Sequence, residues 1–159
     1  MPESPTPPEI LAFTEADRRG LVDLWQRCEL TRPWNDPDRD IDRKVAHSGG
    51  LFVALDVPTD ATADAREVIG SVMAGYDGHR GWINYLAVDP AWRGSGLGRR
   101  LMVVAEEYLR AIGAPKINLQ IRAENRDAVA FYHAIGFDTD AVVSMGKRLV
   151  DDEAPPQGG

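Results

Sequence analysis

Residues 82–112 read WINYLAVDPAWRGSGLGRRLMVVAEEYLRAI, and the change of periodicity inside this stretch decides the fold. Trp82 to Val88 are mostly aromatic or aliphatic and carry no charge, the composition of a strand buried on both faces. Asp89-Pro90 ends that strand, because proline has no N–H for a ladder and restricts the residue before it. From Leu97 the period becomes helical: Leu97, Leu101, Val104, Ala105, Tyr108 and Ile112 share one face, and Gly113 stands where a helix-ending glycine belongs. Between strand and helix lies Arg93-Gly94-Ser95-Gly96-Leu97-Gly98, followed by Arg99 and Arg100. A glycine-rich loop feeding a helix start turns backbone N–H groups and the positive end of the helix dipole into one concavity, which suits a phosphate or pyrophosphate. The same glycines would also serve a tight turn that packs helix on strand. Two well-known cradles are excluded by spacing: no G-x-x-x-x-G-K-[ST] occurs, and G-x-G-x-x-G from Gly94 would need glycine where Arg99 stands.

Outward from this unit the chain alternates short strands and helices. Residues 10–13 read as a strand, and Thr14 caps a helix with Leu21, Leu24, Trp25 and Cys28 on its apolar stripe. Arg32-Pro33-Trp34-Asn35-Asp36-Pro37 is a turn-rich link to a mostly charged second helix, with Ile41 and Val45 facing inward. Residues 51–57 and 67–76 read as a hairpin whose long acidic connection, 58–66, is expected to be mobile. Residues 77–81 turn into the central strand. Downstream, Ile117, Leu119 and Ile121 alternate with Asn118, Gln120 and Arg122 over a strand from 116 to 122. Asn125 caps a helix carrying Ala128, Phe131, Tyr132 and Ile135 on one face, and residues 137–140 and 142–149 are expected to be closing strands. The order β-α-α-β-β-β-α-β-α-β-β predicts an α/β fold with an α+β mixed sheet and helices on both faces, because the strand, helix, strand unit 82–122 must cross to a parallel neighbour. One domain over 10–150 is expected, with disordered Pro-rich or polar segments at 1–9 and 151–159.

Composition narrows the function. The 159 residues carry a net charge of −7, which argues against a nucleic-acid partner, whose recognition rests on a basic surface. An anionic ligand must then be held by a local basic patch, for which Arg93, Arg99 and Arg100 are placed, with Lys116, Arg122 and Arg126 nearby. The single cysteine, Cys28, permits no intrachain disulfide, suits a reducing cytoplasm and reads as a core residue. No stretch approaches a membrane span and the N-terminus has no signal-peptide pattern, so a cytoplasmic protein with no membrane partner is expected.

Two motifs together carry a resemblance. L-A-V-D-P-A-W-R-G-S-G-L-G (86–98) and N-x-x-A-x-x-F-Y-x-x-x-G-F (125–137) resemble, in order and spacing, the acyl-CoA-binding core of the GNAT superfamily of N-acetyltransferases. The match covers roughly the C-terminal half directly. RPWNDP, YDGHRG and MGKRL further resemble the small bacterial subgroup typified by YpeA. The resemblance implies a GNAT-like fold whose two parallel central strands splay apart, with acetyl-CoA as cosubstrate in the gap and no metal. It implies that Arg93, Gly94, Ser95, Gly96, Leu97, Gly98 and Arg99 hold the CoA pyrophosphate. Leu86, Ala87 and Val88 would pair by their backbone with the pantetheine arm, a bulge at Leu86 or Ala87 aiming an N–H at the thioester carbonyl. Tyr132 would be the acid for the departing thiolate, and Asn125 would cap its helix and contact the cofactor.

The acceptor amine must lose a proton before attack, since an alkylammonium has a pKa of about 10.4. Asp77, His79, Asp36, His47 and Glu124 are candidate bases, with a water relay as the alternative; Asn84 and Tyr85 stand where some relatives place a carboxylate. Trp34, Asn35 and Asp36, together with Asp77 and His79, are the expected substrate-side residues. The expected activity is acetyl transfer to a primary amine by direct attack in a ternary complex, on a small-molecule or peptide acceptor. A protein N-terminal or lysine acetyltransferase is the first alternative and a non-catalytic acyl-CoA sensor the second. Pairing of residues 142–149 with a second copy would give a homodimer.

Overall fold

The computed structural model describes residues 6–57 and 66–153. Five strands form one sheet in the order β1 (Glu9–Ala12), β2 (Leu51–Asp56), β3 (Glu67–Tyr76), β4 (Gly81–Val88) and β5 (Ile117–Leu119). The first four pair antiparallel, and β4 and β5 pair in parallel. This is the mixed sheet that the crossover argument requires. Helices α1 (Arg18–Arg27) and α2 (Pro37–His47) lie against one face, and α3 (Leu97–Ala111) lies against the other, where the side chains of α4 (Arg126–Ala134) also pack.

The alternation of β2 and β3 divides the core into two layers. Val53, Leu55 and Val68 pack with Leu21, Leu24, Trp25 and Ile41 on the α1/α2 face. Ala54, Ile69, Val72 and Ala74 pack with Leu97, Leu101, Met102, Ala105 and Leu109 on the α3 face. Each fully buried Leu or Ile in these layers contributes about 2 kcal/mol of transfer free energy. Two periodicity readings shift. Ile112 lies in line with the α3 stripe but caps the helix beyond the sheet and is 43% exposed, while Met102 and Leu109 are buried. On α2 Val45 points outward and Lys44 inward, where its ammonium donates to the Ala74 carbonyl at 2.6 Å and to Ser48 Oγ at 3.2 Å. A lysine stem is as apolar as a valine, so the position tolerates it once the charge finds oxygens.

The closing strands are corrected. Residues 137–150 form no strand; Val142, Val143, Met145 and Leu149 are exposed, and the segment is tied to β5 through side chains. Asp140 accepts from Lys116 at 2.8 Å and Asn118 at 2.9 Å, and Gln120 bonds Ser144. The physical reason is that β5 spans three residues rather than the expected seven and offers almost no ladder for another strand to extend. The chain termini are also more tied than expected. The Pro8 carbonyl accepts from Arg100 and β1 begins at Glu9, while Asp152 is docked under α2. Disorder expected at 1–5 and 154–159, and mobility expected across 58–65, fall outside the described residues.

Candidate active site

The site begins where two strands part. β4 and β5 pair only from Gly81↔Ile117 to Ile83↔Leu119. Beyond Ile83 the β5-side edge of β4 has no partner strand among the described residues, and a groove of about 970 Å³ occupies the gap. Tyr85 and Leu86 of β4 form one wall; Asn125, Ala128 and Tyr132 of α4 form the other. Asp40, Arg43, Lys44 and His47 of α2 line it as well.

Inside the groove β4 is bulged. The β3/β4 register runs Ser71↔Ala87 and then Met73↔Asn84, so Val72 faces two residues, Tyr85 and Leu86. Tyr85 carries the left-handed φ of 50° that the extra residue demands. Its ring stacks on Trp25 with centroids 3.8 Å apart, and its hydroxyl donates to Asp40 Oδ2 at 2.6 Å. Burial, reinforced by that carboxylate, pushes the Tyr85 phenol well above the ordinary tyrosine range.

At the C-terminal end of β4 the chain turns through Pro90–Trp92 into the glycine loop. Asp89 caps this turn by accepting from the Ala91 N–H at 2.9 Å, and Arg27 of α1 pairs with the same carboxylate at 2.8 Å. Gly94 and Gly96 hold φ of 79° and 86°, and Gly96 is the N-cap of α3. A Cβ built on either meets nothing within 4 Å, so the loop opens onto free space. The N–H groups of Gly98 and Arg99 make no hydrogen bond to the described chain, and that of Leu97 makes only a 3.4 Å contact with Ser95 Oγ. Three free or weakly held donors thus stand together at a helix start, the kind of place where backbone N–H groups can receive an anion. A Cβ on Gly98 would stand 3.4 Å from Phe131 Cζ and 3.6 Å from Val88 Cγ2, so the start of α3 packs directly on α4 and β4 here.

Tyr132 borders the groove with its ring held edge-on between Phe131 and Phe137, at centroid distances of 5.1 and 5.5 Å. Burial raises its phenol to about 12, and the hydroxyl bonds no described residue. Asn125 caps α4 by accepting from the Ala128 N–H at 3.1 Å and also faces the groove.

The expected substrate-side residues separate into two groups. Asn35 borders the groove, where its amide oxygen accepts from Arg148 at 3.0 Å. Trp34 is 40% exposed and Asp36 is the N-cap of α2, accepting from the Arg39 N–H at 3.1 Å; neither lines the groove. Asp77 and His79 sit in the β3–β4 turn, at the opposite end of β4 from the gap. The Asp77 carboxylate is taken up by the N–H groups of Arg80 and His79 and the Trp82 indole, which hold it down to about 2. Of the other candidate bases, His47 and Glu124 border the groove. Asp40 and Ser71 escaped the sequence reading. Asp40 looks like any helix-surface carboxylate, whereas Ser71 is a lone hydroxyl in the apolar run of β3, the signal that could have drawn attention to it. Cys28, expected in the core, is half-buried at the C-cap of α1, its thiol 3.4 Å from the Val88 carbonyl and pushed up by burial.

The same architecture recurs in known proteins. Residues 18–137 match the Acetyltransferase (GNAT) family, and the chain belongs to that family; it is an acyltransferase of the acetyl-CoA-dependent class. An acetyltransferase of Sodalis glossinidius is 43% identical over 146 residues, covering 91% of this chain and 98% of its own. One of Pectobacterium atrosepticum is 42% identical over 144 residues, covering 91% and 97%. Among solved structures, AAC(6')-Iy in complex with a CoA-S-monomethyl-acetylneamine bisubstrate analogue shares the fold at TM-score 0.70 and 17% identity, over 90% of this chain and 99% of that one. The ribosomal-protein-S18-alanine N-acetyltransferase of Escherichia coli does so at TM-score 0.66 and 20% identity, over 82% and 77%.

Proposed function

We propose that this enzyme transfers the acetyl group of acetyl-CoA to a primary amine by direct attack in a ternary complex. The observation that carries the reading is the bulge at Tyr85 and Leu86 in the one stretch of β4 that has lost its β5 partner. The N–H groups of Leu97, Gly98 and Arg99, with the guanidinium groups of Arg93 and Arg99, hold the pyrophosphate, and the unpaired edge of Leu86, Ala87 and Val88 takes the pantetheine amides as a further strand. The Leu86 N–H polarises the thioester carbonyl and stabilises the oxyanion, a contribution of about 3 kcal/mol for one such donor. Tyr132, protonated at neutral pH, gives its proton to sulfur as the C–S bond breaks and the N–C bond forms. The proton lost by the amine passes to Glu124, to His47 or to water in the groove.

A peptide amine is the second acceptor reading, and the charged lining of the groove, with Arg32, Asp40, Arg43 and Glu124, favours it. The exposed Val142, Val143 and Met145 support a homodimer, which sedimentation would read as twice the chain mass, falling to a monomer in Val143→Lys. The single cysteine and the absence of an apolar helix long enough to cross a membrane among the described residues are compatible with a cytoplasmic place of action. Calorimetric titration with acetyl-CoA, against NAD and ATP, tests the reading. Selective micromolar binding followed by thiol release with small amines or peptides is the expected result, and no binding by the folded protein would overturn it.

A further inference from the structure

We infer that Ser71 and Trp25, neither of which borders the groove, are positioning residues that aim the Leu86 N–H at the thioester. The inference rests on the acetyl-CoA reading of the groove. Both side chains are 0% exposed. The Trp25 indole N–H donates to Ser71 Oγ at 2.9 Å, and Ser71 Oγ lies 2.8 Å from the Tyr85 carbonyl oxygen. An indole nitrogen can only donate, so it occupies a lone pair of the serine oxygen, and a carbonyl can only accept. The serine proton therefore goes to the Tyr85 carbonyl, and the hydroxyl has one orientation.

That carbonyl belongs to the peptide whose nitrogen is Leu86. In a planar trans peptide the C=O and N–H vectors point in opposite directions. Fixing the Tyr85 carbonyl toward Ser71 on β3 thus turns the Leu86 N–H away from β3, to the side where β5 has departed and the groove lies. The bulged peptide has no partner in the β3 register, and the Ser71 hydroxyl is the side chain that holds its carbonyl. Trp25 acts twice, orienting Ser71 through its N–H and holding the Tyr85 ring in its stack. The side chain of Tyr85 is further tethered to α2 by Asp40, so the strained residue is gripped at its ring, its hydroxyl and its carbonyl.

The test is the infrared carbonyl stretch of acetyl-CoA carrying ¹³C at the thioester carbon, measured bound and free, with dissociation constants taken in parallel. The parent should shift the bound stretch to lower frequency. Ser71→Ala should lose at least half of that displacement while binding acetyl-CoA within about threefold of the parent, since the pyrophosphate and pantetheine contacts are untouched. Ser71→Thr, which keeps the hydroxyl, should restore the displacement. Trp25→Phe keeps the ring stack but drops the N–H and should give an intermediate value, so the inference stays testable should Ser71→Ala fold poorly. An undiminished shift in both Ser71→Ala and Trp25→Phe would overturn the positioning role alone. A parent that neither binds acetyl-CoA nor shifts its carbonyl would overturn the acetyl-CoA reading first.

Discussion

Gly96 is a position where the fold and the proposed pyrophosphate site make the same demand. At φ 86° it costs glycine nothing, whereas any other residue there costs about 1–2 kcal/mol, and its missing Cβ leaves the space before the α3 N-terminus open. Two substitutions separate these roles. Gly96→Ala should lower the unfolding temperature slightly and keep acetyl-CoA binding, whereas Gly96→Glu should abolish binding by placing a carboxylate where the pyrophosphate charge belongs; calorimetry and a thermal melt on each read the difference. Tyr132 is the second residue whose environment decides its chemistry. Because burial holds its proton to about 12, Tyr132→Phe should lower turnover far more than acetyl-CoA affinity, and by the same factor at pH 7 and pH 9. A ratio that collapses toward one at pH 9 would mean that another acid serves the thiolate. Both residues stand out in the sequence because each lies in a motif of fixed spacing, and the structure places Gly96 at the α3 N-cap and Tyr132 beside the groove. Ser71 and Asp40 do not, since their roles come from elements 14 and 45 residues away in the chain.

At the scale of elements, β4 does three things in succession: it pairs with β5, bulges, and delivers the chain to the glycine loop. The strand itself was readable from its apolar run and its Asp-Pro ending, and α3 from its period. Where β4 leaves β5 was not readable, because residues 116–122 alternate as a full strand and nothing local says that pairing stops at Leu119. α4 positions Tyr132, and its start depends on the Asn125 cap. Asn125→Ala should cost about 1 kcal/mol, and Asn125→Asp much less. For a domain of this size that is a fall of about 3 °C in the melting temperature of the alanine variant.

Over the whole molecule, a strap of charged residues joins the C-terminal segment to the α1–α2 link. The Asp152 side chain is 1% exposed and takes hydrogen bonds from Arg43 at 2.6 Å and from the Asp36 N–H at 2.9 Å, while Arg148 donates to the Trp34 carbonyl at 2.8 Å. Arg43 first, and then the Asp36 N–H, hold the Asp152 carboxyl well below the usual carboxylate range. A group depressed on folding adds stability above its unfolded pKa of about 3.9 and loses it as pH falls toward the folded value. The melting temperature of Asp152→Asn should therefore lie below that of the parent by a constant amount above pH 5, and the two curves should converge as the pH is taken below about 4. Parallel curves down to pH 2 would show that the strap carries no such linkage.

By itself the sequence determined the elements whose signals are local: the helical period of α3, the proline that ends β4, the glycines that free the α3 N-terminus, and the motif that sets Tyr132 on α4. Only the tertiary structure decided what depends on distant pieces of chain meeting. The family resemblance implied that β4 and β5 splay, but that their pairing stops at Ile83 and Leu119 is seen only in the folded chain. Lys44 joins Ile41 on the buried face of α2 where the Ala74 carbonyl and Ser48 receive its charge, and residues 137–150 stay out of the sheet because β5 ends too soon to receive them. The aim of the Leu86 N–H depends on a serine one strand away and a tryptophan on α1, since a peptide's orientation is chosen by whatever holds its carbonyl.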